Sequence, residues 1–250
     1  MNPEAGGTVS FRGVPYRERL LSRLRAGASG WKGELFPALE PLIPASALAR
    51  PEERRARFAA ALRNVGGEVH DLVECRDLRG AFREVLLSLR SGVNEPDAAP
   101  LAAIDGDPTW ASLRDRADRP LVVAEVAREA GFEVRELPAE RGGSVDVLAR
   151  SALGITAADL AVAETGSVAQ FTRPWRPRSI SLLPPVHLVV LPADRIVAAL
   201  EDLLVRAGPE LGGASPYLTL ITGPSRTADI EKVLTVGVHG PGRVAVVIVG

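Results

Sequence analysis

The order of apolar runs in the second half of this chain constrains its fold more than any other feature. Residues 186–191 (VHLVVL) read as a buried strand, 218–222 (LTLIT) as another and 243–249 (RVAVVIV) as a last one. Between them Ile196, Val197, Leu200, Leu203 and Leu204 share one face of a helix predicted over 194–206, with Asp194 as its cap. A second helix is predicted over 227–234. Strand, helix, strand, helix, strand argues for a layered α/β fold with a largely parallel core. Just upstream, 159–164 (DLAVAE) and 168–171 flank Thr165-Gly166-Ser167 as a hairpin, which adds an antiparallel element.

The first half is less regular. Residues 1–13 are expected to be disordered, and 14–250 to form a single α/β domain with a helical N-terminal region at 14–65. Leu20, Leu21 and Leu24 line one face of a helix over 16–26, and 31–46 is a Pro-punctuated connection. Pro51 stands at N1 of a helix that carries Phe58, Ala61, Leu62 and Val65 and ends at Gly66-Gly67. A half-buried strand at 68–74, a helix at 79–90, a helix at 121–130 stopped by Gly131 and a strand at 132–137 follow. Residues 140–144 read as a loop. Residues 91–120, rich in Pro, Asp and Gly, fit an insertion or a helical linker, with a short strand near 101–104.

Composition narrows the function classes. Hydrophobic residues at 46% and charged residues at 24% are those of an ordinary globular protein, and a net charge of −1 gives no reason to expect nucleic acid. A lone Cys75 excludes an intramolecular disulfide, and an iron–sulfur cluster or Cys-based zinc site built from this chain alone. Cys75 lies in a strand-like run, where a small buried side chain is the expected role. His70, His187 and His239 form no His-x-x-x-His pair, so a metal site could arise only through folding and none is assigned. No apolar run reaches the ~18 residues of a membrane span and the N-terminus lacks an apolar signal core, so a cytoplasmic location is expected.

Residues 221–241 (ITGPSRTADIEKVLTVGVHGP) carry the densest local signal. Gly223 permits a left-handed turn, and Pro224 fixes φ without offering an N–H. Ser225, Arg226 and Thr227 then fall where the predicted helix starts, among its free N–H groups. That suits a carboxylate or phosphate; an ordinary capped helix fits the same residues. Open α/β sheets bind ligands outside the carboxyl ends of their strands. Three Gly-containing turns are expected there: Glu164-Thr165-Gly166, Thr222-Gly223-Pro224-Ser225 and Gly237-Val238-His239-Gly240-Pro241. Glu164 is a candidate general base, nucleophile or ligand anchor, or a turn carboxylate bonded to nearby N–H groups. His239 could polarise a carbonyl or bind an anion, or make a structural hydrogen bond. Asp229 could orient Arg226 or His239. The candidate ligand-binding set is Thr165, Gly166, Thr222, Gly223, Ser225, Arg226, Thr227, Asp229 and Gly240. Arg173, Arg176 and Arg178 in TRPWRPRS could meet an acidic partner or a phosphorylated cofactor tail, with Trp175 stacking, or simply be solvated. No Walker loop, Gly-x-Gly-x-x-Gly, Gly-x-Ser-x-Gly or His-Glu-x-x-His is present.

Taken together, AETGSV at 163–168, SLLPPVHLVVLPADRIVAAL at 181–200, ITGPSRTADIE at 221–231 and GVHGP at 237–241 closely resemble the LUD-domain family. The first half matches it only in general plan. The resemblance implies a three-layer α/β/α sandwich around a mixed, largely parallel sheet, similar to the sugar-phosphate isomerase and coenzyme A transferase group. It also implies a role in oxidising L-lactate to pyruvate with iron–sulfur partner proteins. The clusters would sit on the partners, leaving this chain without a cofactor. Two readings follow. The chain is an accessory subunit whose rim binds lactate or another small carboxylate or phosphate, or it is an acyl-transfer enzyme with Glu164 as nucleophile.

Overall fold

The computed structural model describes residues 10–11, 14–15, 50–90, 100–114, 118–137, 144–211, 217–228, 234–237 and 239–250. The expectations for 16–26, 31–46 and most of 1–13 and 140–144 fall outside these residues. The chain divides into two units, Met1–Leu42 and Ile43–Gly250. Of the first, the described part is an antiparallel pair, β1 (Ser10–Phe11) and β2 (Val14–Pro15).

The second unit is built on a six-stranded, wholly parallel sheet. Its strands are β3 (Glu68–Asp71), β4 (Leu101–Ile104), β5 (Glu133–Glu136), β6 (Leu153–Ala157), β9 (Val186–Pro192) and β14 (Arg243–Val249), in the order β3-β14-β9-β6-β4-β5. The centre explains the apolar runs. In β14, Ala245, Val247 and Val249 enter one core and Val246 and Ile248 the other, because a central parallel strand is covered on both faces. One face packs on α2 (Leu78–Arg90) and α3 (Val123–Glu129), through Phe82, Leu86 and Val126. The other face meets α1 (Pro51–Asn64), through Phe58 and Leu62, and α4 (Ser144–Arg150), through Leu148.

A smaller mixed sheet completes that second layer, with the order β10-β7-β8-β11: β7 (Leu160–Val162), β8 (Ser167–Phe171), β10 (Ile196–Val197) and β11 (Leu218–Ile221). The predicted hairpin is β7–β8, and α5 (Leu200–Leu211) covers its outer side through Leu203 and Ala207. The antiparallel pairing expected inside the main sheet lies here instead.

Several local expectations are corrected. Asp194 does not cap a helix; it sits in a 3-10 turn at Ala193–Arg195, and the β-branched Ile196 and Val197 extend to pair with Ala161 and Val162. The helix starts only at Leu200, where Asp202 accepts from the Ala199 N–H. No helix starts at Arg226. Residues Arg226–Ala228 (β12) pair antiparallel with Leu234–Val236 (β13). Cys75 is half-buried in a turn, because Asp71 accepts the Val73 N–H and ends β3 early. Strand β6 and helix α4 were not foreseen. Gly154 interrupts the β6 pattern at a point where an added Cβ would stand 2.4 Å from the Ile180 carbonyl oxygen.

Candidate functional site

The C-terminal turn of α1 is the floor on which the predicted site residues gather. Gly166 has φ +67°, and a Cβ there would lie 2.3 Å from the Leu62 nitrogen, so only glycine lets the β7–β8 turn approach the helix. Gly223 has φ +77° and similarly abuts the Val65 carbonyl, to which Arg226 donates from Nη2. Thr165 Oγ1, Ser167 Oγ and Thr222 Oγ1 form a hydroxyl chain with two contacts of 2.7 Å. Glu164 donates its N–H to the Ala198 carbonyl at 3.0 Å, while its half-buried carboxylate has no hydrogen bond or ion pair among the described residues.

The Gly237–Pro241 loop joins through backbone. Ser225 donates its N–H to Pro241 and accepts from the Gly237 N–H, both at 2.9 Å, and Gly240 packs against the Ser225 side chain. These bonds correct the helix-start expectation: the Ser225 N–H that would face an anion is spent on the Pro241 carbonyl. Thr227 lies on β12, Asp229 lies outside the described residues, and His239 is exposed. Among the described residues no hydrogen bond or ion pair joins His239 to Glu164. Thus Thr165, Gly166, Thr222, Gly223, Ser225, Arg226 and Gly240 are drawn onto one rim, and the two catalytic candidates are not brought together.

The rim's position is also corrected. The turns after β7 and β11 are carboxyl ends, but of strands in the small sheet, and the Gly237–Pro241 loop precedes β14. The rim therefore borders the amino edge of the parallel sheet. The carboxyl edge holds a different constellation, at the point between β4 and β6 where successive connections diverge in opposite directions. Arg176, 2% exposed, contacts Asp159, lies 3.2 Å from Asp107 Oδ2 and 3.8 Å from Asp105 Oδ2, and donates to the Ala157 carbonyl. Arg173 bonds Asp159 and Glu210 and stacks over Phe171. The TRPWRPRS loop is thus neither solvated nor open to a partner at these two positions, because its guanidiniums neutralise the chain's own carboxylates.

Two buried groups are strongly perturbed, Asp105 at this edge and His187 near the amino end of β9. Burial pushes the Asp105 carboxyl up to about 7; Asp107 adds to the rise, while Arg176 and the Trp110 Nε1–H bond at 2.8 Å oppose it. Burial first, and the Arg176 charge second, lower His187 to about 3. Its Nε2 lies 2.9 Å from Thr156 Oγ1, which also accepts from Gln170. Among the described residues no three His, Cys, Asp or Glu side chains gather as metal ligands.

The LUD domain model matches residues 55–249. The chain belongs to the LUD domain family. Lactate utilization protein C of Exiguobacterium is 40% identical over 109 residues, 42% of this LUD chain and 47% of that protein. The protein of that name from Bacillus subtilis is 35% identical over 123 residues, 48% of this chain and 51% of that one. The chain thus spans about half the length of these curated relatives. An uncharacterized protein of Neisseria meningitidis is 26% identical over 90% of this chain and 89% of its own. A crystal structure of a DUF162 family protein from Deinococcus radiodurans superposes with a TM-score of 0.52 at 20% identity, covering 80% of this chain and 99% of that one. That likeness shows the fold: a mixed α/β architecture with a parallel six-stranded sheet flanked by helices.

Asp105 and His187 are residues to which sequence reasoning gave no role in this LUD domain, and Arg176 was singled out within TRPWRPRS but for an outward-facing role. One signal was available for Asp105: Asp-Gly-Asp directly follows the strand at 101–104, at a carboxyl end. Nothing local marks Arg176 as different from Arg178, since burial is decided by carboxylates elsewhere in the chain.

Proposed function

We propose that this chain is a ligand-binding or accessory subunit of a lactate-utilisation system, acting in the cytoplasm with iron–sulfur partner proteins in the oxidation of L-lactate to pyruvate. The observation that carries the reading is the similarity to several proteins named lactate utilization protein C. Chemistry supports the division of labour. Oxidising lactate releases two electrons and two protons, and one cysteine cannot ligate a cluster to take the electrons. The rim suits the substrate class, because lactate presents a carboxylate and a hydroxyl. Arg226 offers an exposed guanidinium, and Thr165, Ser167 and Thr222 offer hydroxyls. No helix among the described residues is long and apolar enough to cross a membrane.

The test is reconstitution. Lactate-dependent reduction of an electron acceptor is expected only when this chain and its cluster-bearing partners are all present. Full turnover without this chain would defeat the reading.

The Glu164 carboxylate, which makes no hydrogen bond or ion pair among the described residues, supports a second reading, acyl transfer. Glu164 would attack the carbonyl of an acyl thioester and expel the thiolate, giving an acyl-glutamyl anhydride. The thiolate would then attack the glutamyl carbonyl, forming a glutamyl thioester and freeing the original acyl group as a carboxylate. Loss of transfer and of the thioester adduct in Glu164→Ala is expected on this reading, and unchanged transfer removes it.

A further inference from the structure

Strand β10 ends the small sheet, and a helix packs on each of its faces. On one face Phe58 of α1 shares a core cluster with Ile196; on the other, Leu203 and Ala207 of α5 share one with Val197. Where the strand ends, a cleft of about 250 Å³ opens between the two helices. It is lined by Arg54 of α1, by Val197 and Ala198, and by Asp202, Val205 and Arg206 of α5. Its volume falls just below the ~300–1,000 Å³ of ordinary small-molecule sites, which limits it to a compact ligand. The Ala198 carbonyl accepts the Glu164 N–H, so the cleft adjoins the rim without sharing a side chain with it.

The charges in this wall are unevenly matched. Asp202 Oδ2 accepts the Ala199 N–H at 3.1 Å and so serves the start of α5. Arg206, one helical turn later, makes no hydrogen bond or ion pair among the described residues, with Asp202 or any other group. Arg54 is half-buried and has an interaction of its own, but a guanidinium carries five N–H donors and can serve more than one partner. Two guanidiniums thus enter one cleft from different helices. Like charges that share a cleft repel, and an anion between them turns that cost into attraction.

We propose that this cleft binds a short aliphatic dicarboxylate, one carboxylate on Arg206 and the other on Arg54, with the hydrocarbon spacer against Val197 and Val205. Three features select that class. A guanidinium fork matches the edge of a carboxylate in two parallel bonds. Forks on separate helices favour two anionic groups over one. The valines favour a ligand with an apolar middle, which inorganic phosphate lacks. The site goes beyond the lactate reading, since lactate has a single carboxylate and engages the rim.

The probes are succinate, butyrate and inorganic phosphate, titrated calorimetrically against the full chain in low salt at about pH 7.5, where both succinate carboxyls are ionised. Succinate is expected to bind at least about tenfold more tightly than butyrate, which has the same carbon skeleton length and one charge fewer, and more tightly than phosphate. Arg206 is exposed, so Arg206→Gln is expected to fold and to bring succinate down to the level of butyrate. Arg206→Lys should keep part of the affinity. Arg226→Ala separates the two sites: succinate binding lost there but kept in Arg206→Gln belongs to the rim and overturns the proposal. Butyrate or phosphate binding as tightly as succinate, binding of none, or an affinity unchanged in Arg206→Gln would overturn it equally.

Discussion

Arg226 at the amino edge of the parallel sheet stands exposed and bonds the Val65 carbonyl just after α1, whereas Arg176 at the carboxyl edge is buried among three carboxylates. The same side chain serves opposite ends. A guanidinium taken out of water needs nearly all its donors matched, and a set of acids that matches them holds segments 105–107, 157–159 and 171–176 together. An exposed guanidinium beside a hydroxyl chain keeps donors free and can meet an arriving anion. The carboxyl edge is thus fixed by its charges, and the amino edge is held by backbone bonds and glycine contacts that leave side chains available.

The comparison breaks most readily at Arg176. Arg176→Met strands Asp105, Asp107 and Asp159 in the interior and is expected to cost about 3–5 kcal/mol in urea denaturation. A loss near zero would show that water reaches the cluster. A pH series comes next. Asp105 has its folded value raised above the usual 3.8, so its contribution to stability is full below 3.8 and is lost as pH rises through 7. Asp105→Asn should therefore gain on wild type by on the order of 2–3 kcal/mol between pH 5 and pH 8. His187 runs the other way: its contribution is full above 6.5 and is lost as pH falls toward 3. A pH-independent difference between wild type and Asp105→Asn would mean that the carboxyl is solvated.

Smaller effects are expected at the amino edge. Ser167→Ala cuts the hydroxyl chain at its middle member and should cost about 1–2 kcal/mol, measured by thermal unfolding. Arg226→Ala should change stability by less than about 0.5 kcal/mol. A large loss there would make Arg226 a structural clamp like Arg176 and erase the distinction between the edges.

What was legible in the sequence follows from the same contrast. Strands β9 and β14 are apolar on both faces, and α2 and α3 carry helical periodicity, so each announces itself within its own residues. The rim's turns are contiguous Gly-containing motifs and were legible for the same reason, although their edge of the sheet was not, since strand order does not appear in local pattern. The 226–236 segment was misread because its two ends pair with each other, Arg226–Ala228 against Leu234–Val236, rather than bonding at helical spacing. The Asp105–Arg176 cluster was hidden because its members lie far apart in the chain and are common turn residues individually.

The most direct test of the central claim, that the amino-edge rim serves lactate utilisation, is growth of the host on L-lactate after deletion of this gene. The deletion is expected to stop growth and wild type to restore it. Ser225→Ala/Arg226→Ala, folded as its small stability change requires, should fail to restore it. Full restoration by that double variant, or undiminished growth of the deletion strain, would contradict the account.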